Sequence, residues 1–84
     1  MKIFIIDSKG NYSKIEISET AKVAELKEKI KKTNEIKSDN IELIFNGMIL
    51  ENNYTLSELD IVEGSTINYL GTFFAGKQVI ILLF

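Results

Sequence analysis

LIFNGMILENNYTLSELDI, residues 43–61, decides the fold. Ile41, Leu43 and Phe45 alternate with Glu42 and Ile44, a period of two that predicts a strand. Asn46-Gly47 follows, a pair suited to the left-handed backbone of a tight two-residue hairpin turn, and Met48-Ile49-Leu50 returns as a short strand. Thr55-Leu56-Ser57-Glu58 has the spacing of a capping box. The Thr hydroxyl can accept from the amide three residues on, while the Glu carboxylate reaches back. A short helical turn is expected there, burying Leu56 with Leu59 or Ile61 nearby.

Upstream, Met1, Ile3 and Ile5 alternate with Lys2, Phe4 and Ile6; Gly10 turns the chain, and residues 12–18 alternate again around Ile15 and Ile17. Two strands joined by a glycine turn read as a hairpin. The rhythm then becomes helical: Val23, Leu26 and Ile30 recur on one face over about residues 22–34, with Glu25 and Lys29 spaced as an i,i+4 pair and Asn34 placed to end the helix. Downstream, Glu63-Gly64 turns the chain into a fifth strand, residues 65–70, with Ile67 and Tyr69 facing inward. The order β-β-α-β-β-(short helix)-β, with a helix over one face of a mixed sheet, is an α+β domain. Its expected core is Ile3, Ile5, Ile15, Ile17, Val23, Leu26, Ile30, Leu43, Leu50, Leu56, Ile61 and Ile67.

The 84 residues allow one small domain, too apolar at 45% hydrophobic to be disordered. The net charge of −2 favours neither nucleic acid nor an anionic membrane. Charge is uneven: Lys22, Lys27, Lys29, Lys31, Lys32 and Lys37 crowd one segment, while Glu51, Glu58, Asp60 and Glu63 lie in one without lysine. The ordinary reading is a basic and an acidic solvated face. Cys, His, Arg, Trp and Pro are all missing. Without Cys or His there is no thiolate or imidazole to ligate metal, act as nucleophile or serve as the usual base. No phosphate-binding glycine loop is present, and the carboxylates are scattered. The expectation is a non-enzyme with no catalytic residue, metal or cofactor. VIILLF, residues 79–84, is too short to span a bilayer, and MKIFIID is no signal peptide, so the default location is cytoplasmic or nuclear.

Alternation also exposes anomalies. Ile44 shares a side with Glu42, Leu70 with Thr66 and Asn68, and Ile6 with Lys2, all on the expected water side, and Met48 sits just past the turn. If the first, third and fifth strands are neighbours, Ile6, Ile44 and Leu70 merge into one patch with Met48 at its edge. A contiguous exposed apolar patch marks a partner site.

The chain resembles the ubiquitin family across residues 1–76 without a gap. The resemblance is carried by MKIF, Gly10, Lys27, Lys29-Ile30, Ile36, Asp39, LIF at 43–45, Gly47, Leu50-Glu51, Thr55-Leu56-Ser57, Ile61 and Ser65-Thr66, and most specifically by the opening quotation. It implies a β-grasp fold, a mixed five-stranded sheet with one main helix on one face, over residues 1–72. The first strand lies between the second and fifth, and the third beside the fifth. It also implies protein partners of the ubiquitin system: receptor domains, activating and conjugating enzymes, and deubiquitinating proteases. They dock on a patch centred on Ser8, Ile44 and Leu70, with Ile6, Gly47, Met48 and Asn68 around it. The family's basic rim is absent: Ile6, Glu42, Met48, Asn68 and Thr72 stand at its positions, so partners bearing acidic side chains lose their complement. Lys27 and Lys29 remain as possible chain-linkage sites, while Asn11, Met48 and Glu63 replace the major ones. Ser13 and Tyr69 take apolar core positions, and Glu35 replaces a glycine.

The C-terminal extension, residues 73–84, has three readings. Conjugation in the family requires a thin terminus ending in Gly-Gly; here Phe73, Phe74, Ala75 and Gly76 stand in its place. Cleavage after Gly76 would resemble maturation of a covalent modifier. Alternatively, YLGTFF and QVIILLF are both strand-like with a glycine loop between them, a hairpin. Or the chain continues beyond Phe84 in a longer protein. The leading expectation is a non-catalytic interaction domain; the alternative is a modifier precursor processed after Gly76.

Overall fold

The structure, a computed structural model, describes residues 1–7, 9–33, 41–75 and 78–81. Among the described residues, six strands and one helix follow in the order β1 (Lys2–Ile6), β2 (Tyr12–Glu16), α1 (Val23–Thr33), β3 (Ile41–Phe45), β4 (Met48–Ile49), β5 (Thr66–Ala75) and β6 (Gln78–Ile81). A 3-10 turn, Ser57–Leu59, separates β4 from β5. Five strands lie in the order β2-β1-β5-β3-β4, and β6 pairs with β5 off that path. β1 and β5 are parallel and every other pair is antiparallel, which is the expected mixed sheet with a sixth strand added.

Local chemistry makes these elements. The β3–β4 turn takes positive φ at both Asn46 (53°) and Gly47 (76°), the geometry whose twist matches a two-residue hairpin. The capping box forms: Glu58 N–H donates to Thr55 Oγ1 at 3.2 Å, and Thr55 N–H donates to Glu58 Oε1 at 3.0 Å. In the β1–β2 turn, Asp7 Oδ1 accepts from the Lys9 and Asn11 amides at 2.8 and 2.9 Å.

Helix α1 buries Val23, Leu26 and Ile30 against the sheet's inner face, where they join Ile3, Ile5, Ile15, Leu43, Leu50, Leu56, Ile61 and Ile67. Ile17, also expected in this core, is half-buried and packs against it. Tyr69 packs there too, and burial, with a smaller contribution from the Asp7 charge, pushes its phenol above the ordinary range. Ser13 is half-buried. Ala21, Ile41 and Leu70 are buried as well, outside that cluster. The Glu25–Lys29 pair is replaced by other partners. Lys29 Nζ donates to the Glu16 carbonyl, and Glu25 accepts from the Lys22 amide at 3.5 Å. A backbone carbonyl within reach is a fixed acceptor, whereas a mobile surface carboxylate contributes little to a lysine. Asn34 lies outside the described residues.

The cap gives the fold an acid limb. Hydrogen bonds from the Thr55 amide, and then from its hydroxyl, hold the Glu58 carboxyl below its ordinary range. A depressed folded-state value means stability present above the unfolded value, near 4.3, and lost as pH falls through the folded one. Urea midpoints measured from pH 6 to pH 2 should therefore fall less steeply in Thr55→Ala than in the parent, with the parent's advantage shrinking as acid is added. Separately, Ile67→Ala, on the central strand, should destabilise by about 2–5 kcal/mol in urea unfolding.

Candidate functional site

The face of the sheet away from α1 carries the residues of interest. Strand register brings them together, because residues directly opposite across a ladder point to the same side. Tyr12 stands opposite Ile6, Ile6 opposite Asn68, Asn68 opposite Ile44, and Ile44 opposite Ile49. These four pairings link five residues in one row that crosses β2, β1, β5, β3 and β4 at right angles. At about 4.8 Å between neighbouring strands, the row spans roughly 19 Å. Ile6 and Ile44 are half-buried, Asn68 is exposed, and Tyr12 and Ile49 remain 66% and 50% exposed. Phe4, one pleat step from Ile6 on the same side, is half-buried.

Leu70 requires a correction. It is 2% exposed, so it contributes no surface to the patch in which the sequence placed it. Its side was read rightly, since it lies outside the inner-face cluster on the strand step beyond Asn68. Parity reports which side a residue faces; it says nothing of what else the chain brings there. β5 does not stop where the motif does. It runs on through Ala75, and β6 returns beside it, pairing Thr72 with Ile81 and Ala75 with Gln78. Leu70 therefore sits inside a long strand and not at an open end.

Met48 also needs correcting. It is 63% exposed, but it pairs with Phe45, whose side chain packs on the inner-face cluster. Met48 thus faces the other side, lining a shallow pocket with Phe45, Leu50, Leu59 and the acidic Glu58 and Asp60. Its neighbour Ile49 is the β4 residue that joins Ile44. Ile49 and Tyr12 were missed in the sequence. Their signal was present in the hairpin parity, which assigns each to the side of the strand residue it pairs with.

The other sequence candidates are scattered by comparison. Gly47 is exposed at the turn. Lys27 is half-buried on α1, and Lys29 is exposed with its ammonium on the Glu16 carbonyl. Ser8 and Gly76 lie outside the described residues. Among the described residues no three His, Cys, Asp or Glu side chains gather to hold a metal, and no helix is long and apolar enough to cross a membrane.

The sheet order, the helix packed on one face and the parallel first and last strands of the motif meet a matching family model, the Ubiquitin family, over residues 3–73. The chain belongs to the ubiquitin family. A comparison with curated proteins returned no match. In this ubiquitin-family chain Ile44 stands in the outer row between Asn68 and Ile49, and Leu70 is withdrawn from the surface.

The difference between Leu70 and Ile44 is measurable. Leu70→Ala should lower unfolding free energy by about 2–5 kcal/mol, as for a filled interior site, while Ile44→Ala costs well under half as much. Urea denaturation of the two variants side by side checks the order. Equal losses would mean that the two residues share one environment.

Proposed function

We propose that the chain is a non-catalytic protein-interaction domain of the ubiquitin system, docking partner proteins on the outer sheet face through Ile6, Ile44 and Ile49. The observation that carries the reading is the in-register row, which leaves three isoleucines accessible at once on a rigid surface. Folded single domains seldom leave such a strip without a use. The partner chemistry follows from what surrounds the strip. The family's basic positions are replaced, and Glu42 on this face is offset by Lys14 opposite Phe4, so a partner is selected chiefly by apolar complementarity. Binding is weak, because association entropy consumes much of what a small apolar contact gains.

Paired strands around position 76 weigh against the modifier alternative. Residues 72–75 and 78–81 on either side of it are held in an antiparallel ladder. A processing enzyme or an activating enzyme needs an extended, unpaired segment to grip, so this ladder would have to open first.

Two measurements test these readings. Ile44→Lys should abolish capture of ubiquitin-receptor domains in a binding titration while the circular dichroism spectrum stays that of the parent; retained affinity sinks the docking reading. Intact mass of the protein from its native cell decides the alternative, since a species ending at Gly76, or an adduct on lysine, would establish a modifier.

A further inference from the structure

The turn between β3 and β4 carries reactive groups of its own. Asparagine precedes glycine once in the chain, at Asn46-Gly47. Both residues are exposed, and both hold positive φ, 53° and 76°. In a two-residue hairpin the backbone bonds that close the ladder belong to the flanking pair, here Phe45 and Met48. The Gly47 nitrogen stands outside the ladder, next in the chain to the Asn46 carbonyl and free to turn toward the Asn46 side chain.

We propose that this turn modifies itself, the Gly47 nitrogen attacking Cγ of Asn46 and converting the asparagine to aspartate and isoaspartate. The Gly47 N–H gives its proton to solvent base, and its nitrogen forms a bond to Cγ. The Cγ–Nδ2 bond breaks, and the nitrogen takes up a proton and leaves as ammonia. What remains is a five-membered cyclic imide. Water then adds at one of its two carbonyls. Opening at Cγ gives aspartate. Opening at the main-chain carbonyl leaves the backbone running through Cγ, as isoaspartate. Nothing is oxidised or reduced, and water is the only co-reactant.

The turn's geometry favours ring closure. The ring needs Asn46 ψ near about −120° with φ positive, which is the first central residue of a type II′ turn. Asn46 already has the φ. Type II′ closes a two-residue hairpin as the present turn does, so a flip of the one peptide between Asn46 and Gly47 reaches the reactive shape without moving either strand. Glycine tolerates both forms. The surroundings are open as well: a Cβ at Gly47 would meet nothing within 4 Å, so water reaches the ring. Every other asparagine is followed by a residue whose side chain crowds the attacking nitrogen, and Asn68 is also held inside β5.

Either product adds a carboxylate to a chain of net charge −2, at the pocket that Asn46 lines with Glu58 and Asp60. Isoaspartate also lengthens the turn's backbone by a methylene. Turn geometry fixes hairpin register, so the Phe45–Met48 and Ile44–Ile49 pairs are disturbed and the outer row loses its β4 end. The hairpin tip thus records the age of the molecule. Its effect on partners rests on the docking reading; the chemistry does not.

Folded full-length protein, stored at neutral pH without denaturant, should gain over weeks the mass that replacing an amide NH2 by OH brings. Cleavage after Glu42 and Glu51 should release residues 43–51 as unmodified, aspartyl and isoaspartyl peptides. The isoaspartyl form is the signature of the ring, since direct hydrolysis of the amide makes aspartate alone. Peptides holding Asn11, Asn52, Asn53 and Asn68 should change at least about tenfold more slowly. Asn46→Gln, whose ring would need six members, should leave the 43–51 peptide unchanged. Should that variant fail to fold, the parent's other asparagines remain the control. A folded parent without mass gain, gain confined to denatured protein, aspartate without isoaspartate, an equal rate at the other asparagines, or an equal rate in folded Asn46→Gln would overturn the proposal. No partner enters the measurement, so its failure is separate from failure of the docking reading.

Discussion

The structure depends on one pairing, the parallel contact of β1 with β5. Phe4, Ile5 and Ile6 stand beside Thr66, Ile67 and Asn68, more than sixty residues away along the chain. Two further backbone bonds, Phe4 N–H to the Ser65 carbonyl and Gly64 N–H to the Lys2 carbonyl, both 2.8 Å, lead into it. The ladder serves both faces. Inward, Ile5 and Ile67 close the cluster under α1; outward, Ile6 and Asn68 continue the row toward Ile44. Closing so large a loop carries an entropic cost that local hairpins avoid, and burial of the inner face offsets it.

Most of this fold was legible because its signals are local. Asn46-Gly47 specifies a turn whose two positive φ angles few other pairs tolerate, and Thr55 with Glu58 specifies a cap by hydrogen-bond geometry alone. Period-two and period-3.6 patterns placed all but Ile17 of the expected core correctly. Ile17 follows the end of β2, where its amide bonds to the Met1 carbonyl at 2.9 Å, and it packs at the margin of the cluster. Strand order was not readable from periodicity and came from the family resemblance.

The site was less legible than the fold, for a physical reason. A surface is defined by what remains uncovered, and cover comes from distant chain. Leu70 has an outward parity, yet it is buried, on a strand that continues past the familiar motif. Ile49 and Tyr12 look unremarkable in isolation. They matter because register aligns them with Ile44 and Ile6, a fact that spans five strands and belongs to no single stretch of sequence. Lys29 shows the same limit at smaller scale: helical spacing offered Glu25, and the folded chain offered the carbonyl of Glu16.

The central strand also has a place in time. β5 occupies the middle of the sheet, with β1 and β3 on its flanks, yet it is the last of those three to leave a ribosome. Until residue 68 emerges, β1 and β3 lack the strand that joins them, and Ile3, Ile5 and Leu43 lack Ile67 as a neighbour in the cluster. A nascent chain stalled before that point is a sticky intermediate, so the speed of translation through the sixties sets how long the cell must shield it.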